Sequence, residues 1–369
     1  MLHPGAWWLW AVALAVAASR TTNPLVLAAI VAVTGYVVAA RRPATPWSAS
    51  YGMFLKLGLV AIAIRVALFA LLGGEPGTHI LVRLPVLPLP SWMAGVRIGG
   101  PVNLEGVLAA AYDGMRLGVI LCCIGAANSL TSPRRLLKSL PGALHEAGIA
   151  ITVALAFAPQ AVAAVGRLHN ARRIRGRADR GLRRLHGLTI PVLEGALDRS
   201  VDLATAMECR GFGRRAGTPA LVRRATAALT LGGLLVMVAS TYGLVDRSAP
   251  GPLGVPLLVI GAVLTATGFA FGARRGGRTR YRPDPWRSPE WLVALTGFVA
   301  AFTTIVDAPA TLNPSTLPLV APTLPLIPCL GVLVAILPAW IAPPLPRRST
   351  TPIRHAPSVV RRERVGVAS

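Results

Sequence analysis

The chain has 369 residues, 53% of them hydrophobic and 14% charged, with a mean hydropathy of +0.58. That is far more apolar than a soluble domain of this length needs, so composition excludes an ordinary globular protein and points to the bilayer. The net charge of +24 does not indicate nucleic acid, because the arginines sit in short clusters between apolar runs, where the positive-inside rule places them.

Apolar stretches long enough to cross a hydrocarbon core of about 30 Å lie near 6–19, 24–40, 52–73, 105–127, 222–245, 252–273, 290–308 and 320–343. The first lacks a basic leader and carries Trp7, Trp8 and Trp10, which reads as a retained span with interfacial anchors rather than a signal peptide. With Arg41 and Arg42 inside, the Pro-rich stretch from Gly73 to Asn103 falls outside and Arg134, Arg135 and Lys138 return to the cytoplasm. The same alternation holds Arg223, Arg224, the 274–288 loop and the basic tail inside. The expected fold is all-α: a polytopic helical membrane protein of about eight spans with a cytoplasmic domain of amphipathic helices. Its parts are membrane spans over 1–130, a cytoplasmic region over 131–221, further spans over 222–345 and a basic cytoplasmic tail over 346–369. Within the spans, Asp113 and Arg116 are spaced to pair on one helix face, and Arg65 has no obvious partner.

Residues 147–165 break the alternation, since they are long enough to cross yet have arginine-rich flanks on both sides. An interfacial helix, a re-entrant hairpin and a buried segment all remain open, and Pro159 favours a break. Two helices are expected after it. One, near Pro159 to Arg175, aligns Ala164, Leu168, Ala171 and Arg175. The other, near Pro191 to Arg210 with Pro191 in its first turn, carries Leu193, Leu197, Val201 and Ala204 on one face and Glu194, Asp198 and Asp202 on another. That apolar stripe either packs on the first helix or offers a surface to another protein. Both helices stop at Arg-Gly, Arg175-Gly176 and Arg210-Gly211, where Gly takes the left-handed cap and Arg complements the helix dipole. Cys122, Cys123, Cys209 and Cys329 form no metal or disulfide pattern and read as small buried side chains.

The string Ala206-Met207-Glu208-Cys209-Arg210-Gly211-Phe212 resembles the second of two Ala-Arg-Gly motifs in the transmembrane T component of energy-coupling factor (ECF) transporters, the family that includes the membrane subunit of cobalt and nickel uptake systems. Cys209 stands where that family has Ala. The first motif is similar to Ala171-Arg172-Arg173-Ile174-Arg175-Gly176, with Ile174 in the Ala position. Thr131-Ser132-Pro133 resembles the family's entry to the coupling region, and Phe157-x-Pro159 its Arg-Phe-x-Pro, with Ala156 in place of that Arg. The resemblance spans about 20–215; the later apolar segments exceed the family core. It implies a non-catalytic subunit of the cell membrane whose two motif arginines dock on two cytoplasmic ABC ATPase subunits or domains. Its helices then pass the movement to a small membrane substrate-binding S component. ATP belongs to the partners, no cofactor is implied for this chain, and vitamins, their precursors and transition-metal ions all remain open as substrates. The chain agrees with this division of labour, having no Gly-Lys pair and hence no P-loop.

Two other functions compete. A membrane enzyme acting on lipid-linked or phosphate-bearing substrates would want clustered carboxylates or a His and Ser pair, whereas the 14 acidic residues are scattered. A stand-alone secondary transporter would show repeated halves with broken helices, and no such repeat is visible.

Overall fold

Residues 2–43, 50–72, 77–87, 98–139, 145–175, 182–212, 220–245, 254–275, 286–307 and 309–343 are described by a computed structural model. The basic tail, most of the 274–288 loop and Gly176 lie outside them. In chain order the elements are α1 (Pro4–Ser19), α2 (Pro24–Arg41), α3 (Ser50–Leu72), β1 (Ile80–Leu87), β2 (Ile98–Asn103), α4 (Leu104–Leu130), α5 (Pro133–Lys138), α6 (His145–Ile174), α7 (Leu182–Cys209), α8 (Ala220–Val245), α9 (Val255–Arg275), α10 (Ser288–Val306), α11 (Pro309–Leu312), α12 (Leu326–Val334) and α13 (Pro338–Ile341). Six of the helices, α2, α3, α4, α6, α8 and α10, are long and apolar enough to cross a bilayer, and α1, α9 and the α12–α13 pair contribute shorter apolar lengths. The first seven expected spans fall on helix over most of their length, whereas the stretch expected over 320–343 is helical only from Leu326 to Val334 and from Pro338 to Ile341. The last is broken by a turn over Ala335–Leu337 before Pro338 restarts it.

The helix starts follow local chemistry. Asn23 caps α2 through its side chain, which accepts from the Leu25 N–H, and Pro24 occupies the first turn, where a missing donor costs nothing. His3 and Pro4 do the same for α1.

The buried core is shared by α1, α2, α4, α10 and α12, through Trp10, Leu14, Leu27, Ile30, Cys123, Val293 and Val332 among others. The His3 N–H donates to Glu290 Oε1 at 3.4 Å, and a Cβ on Gly297 would lie 2.9 Å from the Trp10 Cα, so α1 and α10 run side by side in the same direction. The opposite ends close on the connection to α2: Thr21 Oγ1 donates to the Leu312 carbonyl at 2.6 Å, and Asn23 Nδ2 donates to the Thr323 carbonyl at 2.8 Å. At the other face Arg41 Nε donates to the Ala339 carbonyl at 2.7 Å, where α13 ends beside the end of α2. Trp7 and Trp10, expected as interfacial anchors, are core residues. Trp10 is fully buried with its Nε1–H donating to the Ala335 carbonyl, and Trp7 meets it edge-on. The aromatic rings left exposed on the Arg41 face are Tyr36 against Trp340 and Trp286 against Trp291.

Helices α3 and α4 pair antiparallel through glycines, since a Cβ on Gly58 would stand 3.1 Å from Gly118 Cα and one on Gly114 only 2.8 Å from Ile62 Cα. Small residues are what let two helix backbones approach this closely where lipid supplies no hydrophobic drive. That approach redirects the intramembrane charges. Asp113 pairs with Arg65 across the helices at 3.1 Å, each side chain about half exposed, and not with Arg116, which donates instead to the Ser19 carbonyl. Arg116 thus marks the level at which α1 ends, and the Arg65–Asp113 pair, a turn earlier on α4, stands beyond it.

A short antiparallel hairpin of β1 and β2 follows α3. Among the described residues these two strands depart from the expected all-helical plan. Pro85 and the Gly99-Gly100-Pro101 run argue against strands, yet both glycines adopt positive φ, 89° and 130°, which only glycine tolerates readily. The hairpin is tied to α4 by Glu105, whose carboxylate accepts from the Thr78 hydroxyl at 2.6 Å and from the backbone N–H groups of Thr78 and His79.

Helices α8 and α9 pair antiparallel, again with no room for side chains at Gly233, Gly261 and Gly268. Helices α6 and α7 pack on each other, and α5 connects α6 to the end of α4. Of the four cysteines, Cys122 and Cys123 are buried as expected, whereas Cys209 is exposed.

Candidate functional site

The residues singled out in the sequence converge on α5, α6 and α7. Thr131 and Ser132 are structural punctuation. The Thr131 hydroxyl donates back to the Ala127 carbonyl at 2.6 Å as α4 closes, and the Ser132 side chain accepts from the Arg135 N–H with Pro133 in the first turn of α5. This end of α4 turns into α5 within two residues, fixing where α6 departs.

Helix α6 is one continuous helix of 30 residues with Pro159 inside it. The expected break and the re-entrant hairpin are therefore corrected. Pro159 is exposed, so its ring displaces no packed neighbour, and the helix gives up the one hydrogen bond that proline cannot donate. Helix α7 likewise begins at Leu182, well before Pro191, which lies within it and not in its first turn.

Of the stripe expected on α6, Ala164, Leu168 and Ala171 line one wall of a groove of about 1000 Å³ between α6 and α7, whereas Arg175 lies outside its lining. The facing wall carries Val192, Ala196, Leu203 and Met207, and Phe212 lies at its end. The stripe expected on α7 resolves in the structure. Leu193, Leu197 and Val201 are exposed at 61%, 57% and 61%, so they do not pack on α6, and Ala204 alone of the four lines the groove. Glu194, Asp198 and Asp202 are all exposed.

Both motif arginines occupy the turn that ends a long helix, and both are exposed. Arg175 N–H donates to the Ala171 carbonyl at 3.2 Å, and Ile174 before it is 86% exposed. After α7 the chain forms a full Schellman cap: the Gly211 N–H donates to Glu208 at 2.8 Å and the Phe212 N–H to Met207 at 3.0 Å. Gly211 takes φ 73°, the left-handed value this cap requires. Met207 and Phe212, the residues the cap brings together, both line the groove. The cap therefore leaves Arg210 exposed while Met207 and Phe212 border the groove, Phe212 at its open edge. Neither Arg175 nor Arg210 takes part in an ion pair among the described residues.

The groove itself was not foreseen, although its signal was present as the small and apolar positions of 149–171 and 191–207 at helical spacing. Its lining also includes Arg167, Arg199 and Ser200.

Fold and site together define a multi-pass helical membrane protein with a pair of long helices, outside its core bundle, that end in exposed arginines. The family model described as cobalt transport protein, CbiQ, matches residues 3–219. The chain belongs to the CbiQ family of membrane transport proteins. It is also 30% identical over 127 residues to the energy-coupling factor transporter transmembrane protein EcfT of Leuconostoc gelidum subsp. gasicomitatum. That match covers 30% of this chain and 47% of the relative, so the chain spans about half the length of the relative it matches.

Proposed function

We propose that this chain is the transmembrane coupling component of an ECF-type importer, with α5, α6 and α7 on the cytoplasmic side. Arg175 and Arg210 dock into grooves on two ABC ATPase subunits, which hydrolyse ATP. Helices α6 and α7 pass the resulting movement to a small membrane S component that binds a vitamin, a vitamin precursor or a transition-metal ion. The exposed stripe of Leu193, Leu197 and Val201 supports a surface for that subunit.

The observation that carries the reading is the matched pair of exposed arginines at the ends of packed helices, with no ion-pair partner among the described residues. A planar guanidinium held at a helix end is suited to bidentate bonds with a carboxylate or carbonyls of a partner groove. Truncating one partner of such a contact, once desolvated, costs roughly 2–5 kcal/mol. Ile174 leaves a branched side chain beside the first arginine where Cys209 leaves a small one beside the second, so the two docking contacts differ in depth. The orientation follows the clustering of Arg41, Arg42 and Arg287 on the same face as the exposed tryptophans.

The test is charge reversal in the full complex. Arg210→Glu is expected to abolish co-purification with the ATPase subunits and to separate ATP hydrolysis from uptake, with Arg175→Glu nearly as severe. If the double reversal leaves complex and uptake intact, the docking role is wrong.

A further inference from the structure

The groove between α6 and α7 has a second chemistry that arginine docking does not use. On α6 its apolar lining runs from Ile149 to Ala164, a length of about 22 Å at 1.5 Å per residue. One leaflet of a hydrocarbon core of about 30 Å is about 15 Å deep, so this wall is long enough for an acyl chain. Arg167 follows directly on α6, and Arg199 and Ser200 line the facing helix. Neither arginine is in an ion pair among the described residues. The acidic side chains of α7, Glu194, Asp198, Asp202 and Glu208, are absent from the lining, so the groove is apolar over most of its length and positively charged where it is charged at all.

We propose that this groove holds one anionic phospholipid, with its acyl chain along the α6 wall and its phosphate-bearing headgroup on Arg167 and Arg199. Basic residues carried by an amphipathic helix at the cytoplasmic surface of a bilayer recognise anionic headgroups, and guanidinium pairs with phosphate oxygens in bidentate fashion. The small residues Ala150, Ala161, Gly195 and Ala196 leave the width for a chain to lie between the helices. Such a lipid fills a groove that is otherwise open and links the angle between α6 and α7 to the composition of the surrounding leaflet.

The experiment is native mass spectrometry of the full chain in mild detergent with phosphatidylglycerol or phosphatidylcholine of identical acyl chains. One phosphatidylglycerol is expected to be retained per chain, at least tenfold in preference to phosphatidylcholine. Arg167→Gln with Arg199→Gln is expected to remove the preference, and Arg224→Gln, a basic residue outside the groove, to keep it. Ala164→Trp, which fills the groove with both arginines in place, is expected to abolish retention. Equal retention of the two lipids by the unaltered chain would overturn the proposal, as would a preference that survives the double variant. Displacement by glycerol 1-phosphate alone would also overturn it, showing an ion site without a lipid groove. Retention that persists with Ala164→Trp would place the lipid elsewhere.

Discussion

Gly211 is the residue on which the end of α7 turns. Its φ of 73° is open to glycine at no steric cost, while an L side chain there pays about 1 kcal/mol or more. Gly211→Ala is expected to weaken the end of α7 by about that amount, seen as faster amide exchange at Arg210, Gly211 and Phe212 with the exchange of α1 and α4 unchanged. Protection equal to the parent would mean that the Schellman bonds do not hold this turn. The arginine beside it is a different kind of residue, since its side chain makes no ion pair among the described residues and its value lies in what it presents. The Arg65–Asp113 pair shows the reverse case, a charge whose meaning is internal. Two charges expected to be neighbours on α4 are served by separate partners because the glycines of α3 and α4 bring Arg65 within reach first.

Among the helices, α6 is where local rules misled most. A proline within an apolar run flanked by arginines favours a break, yet α6 passes through Pro159 without interruption. A proline costs a helix about 3 kcal/mol in the interior, and that penalty is offset when the rest of the segment consists of residues such as Ala, Leu and Val with no competing turn chemistry on either side of it. Spin labels at Ala150→Cys and Ala171→Cys are expected to report a separation of about 31 Å, 21 residues at 1.5 Å each. A hairpin folded at Pro159 would bring them to about 10 Å, the spacing of packed helices, so pulsed electron resonance separates the two outcomes directly. The paired α8 and α9 follow the same packing device as α3 and α4, glycines set opposite backbone, and use it to make a helical hairpin.

Taken together, the later helices are not an appendix to the part that carries the family match. That match ends at residue 219, but α10 and α12 share one core with α1, α2 and α4. Trp10, buried in the first helix, donates to a carbonyl at Ala335, and the α1–α2 connection is held by carbonyls of Thr311, Leu312 and Thr323. A chain ending at Arg275 is expected to lose monodispersity in detergent, because it uncovers Trp10, Val26 and their neighbours together with their unpaired polar groups. The same chain divided between Arg275 and Trp286 is expected to assemble when both pieces are produced together. Size-exclusion chromatography checks both; a monodisperse, heat-stable truncated chain would show that α10 to α13 add nothing to the core.

Helix positions, the absence of a P-loop and the two arginine-ended helices were legible in the residues, since each rests on local chemistry: apolar length, glycine and proline punctuation, and periodicity. The T-component resemblance was legible for the same reason, being carried by one contiguous string around Arg210. What the residues did not disclose was non-local. The burial of Trp7 and Trp10, the partner of Arg65, the exposure of Leu193, Leu197 and Val201, and the groove between α6 and α7 depend on which helix lies beside which. Periodicity defines a face but not its neighbour, and neighbours are chosen by close approach at glycines and by cross-chain hydrogen bonds some 300 residues apart in sequence. For that reason the two helix-ending arginines could be placed from the chain, while the surface around them belonged to the tertiary structure alone.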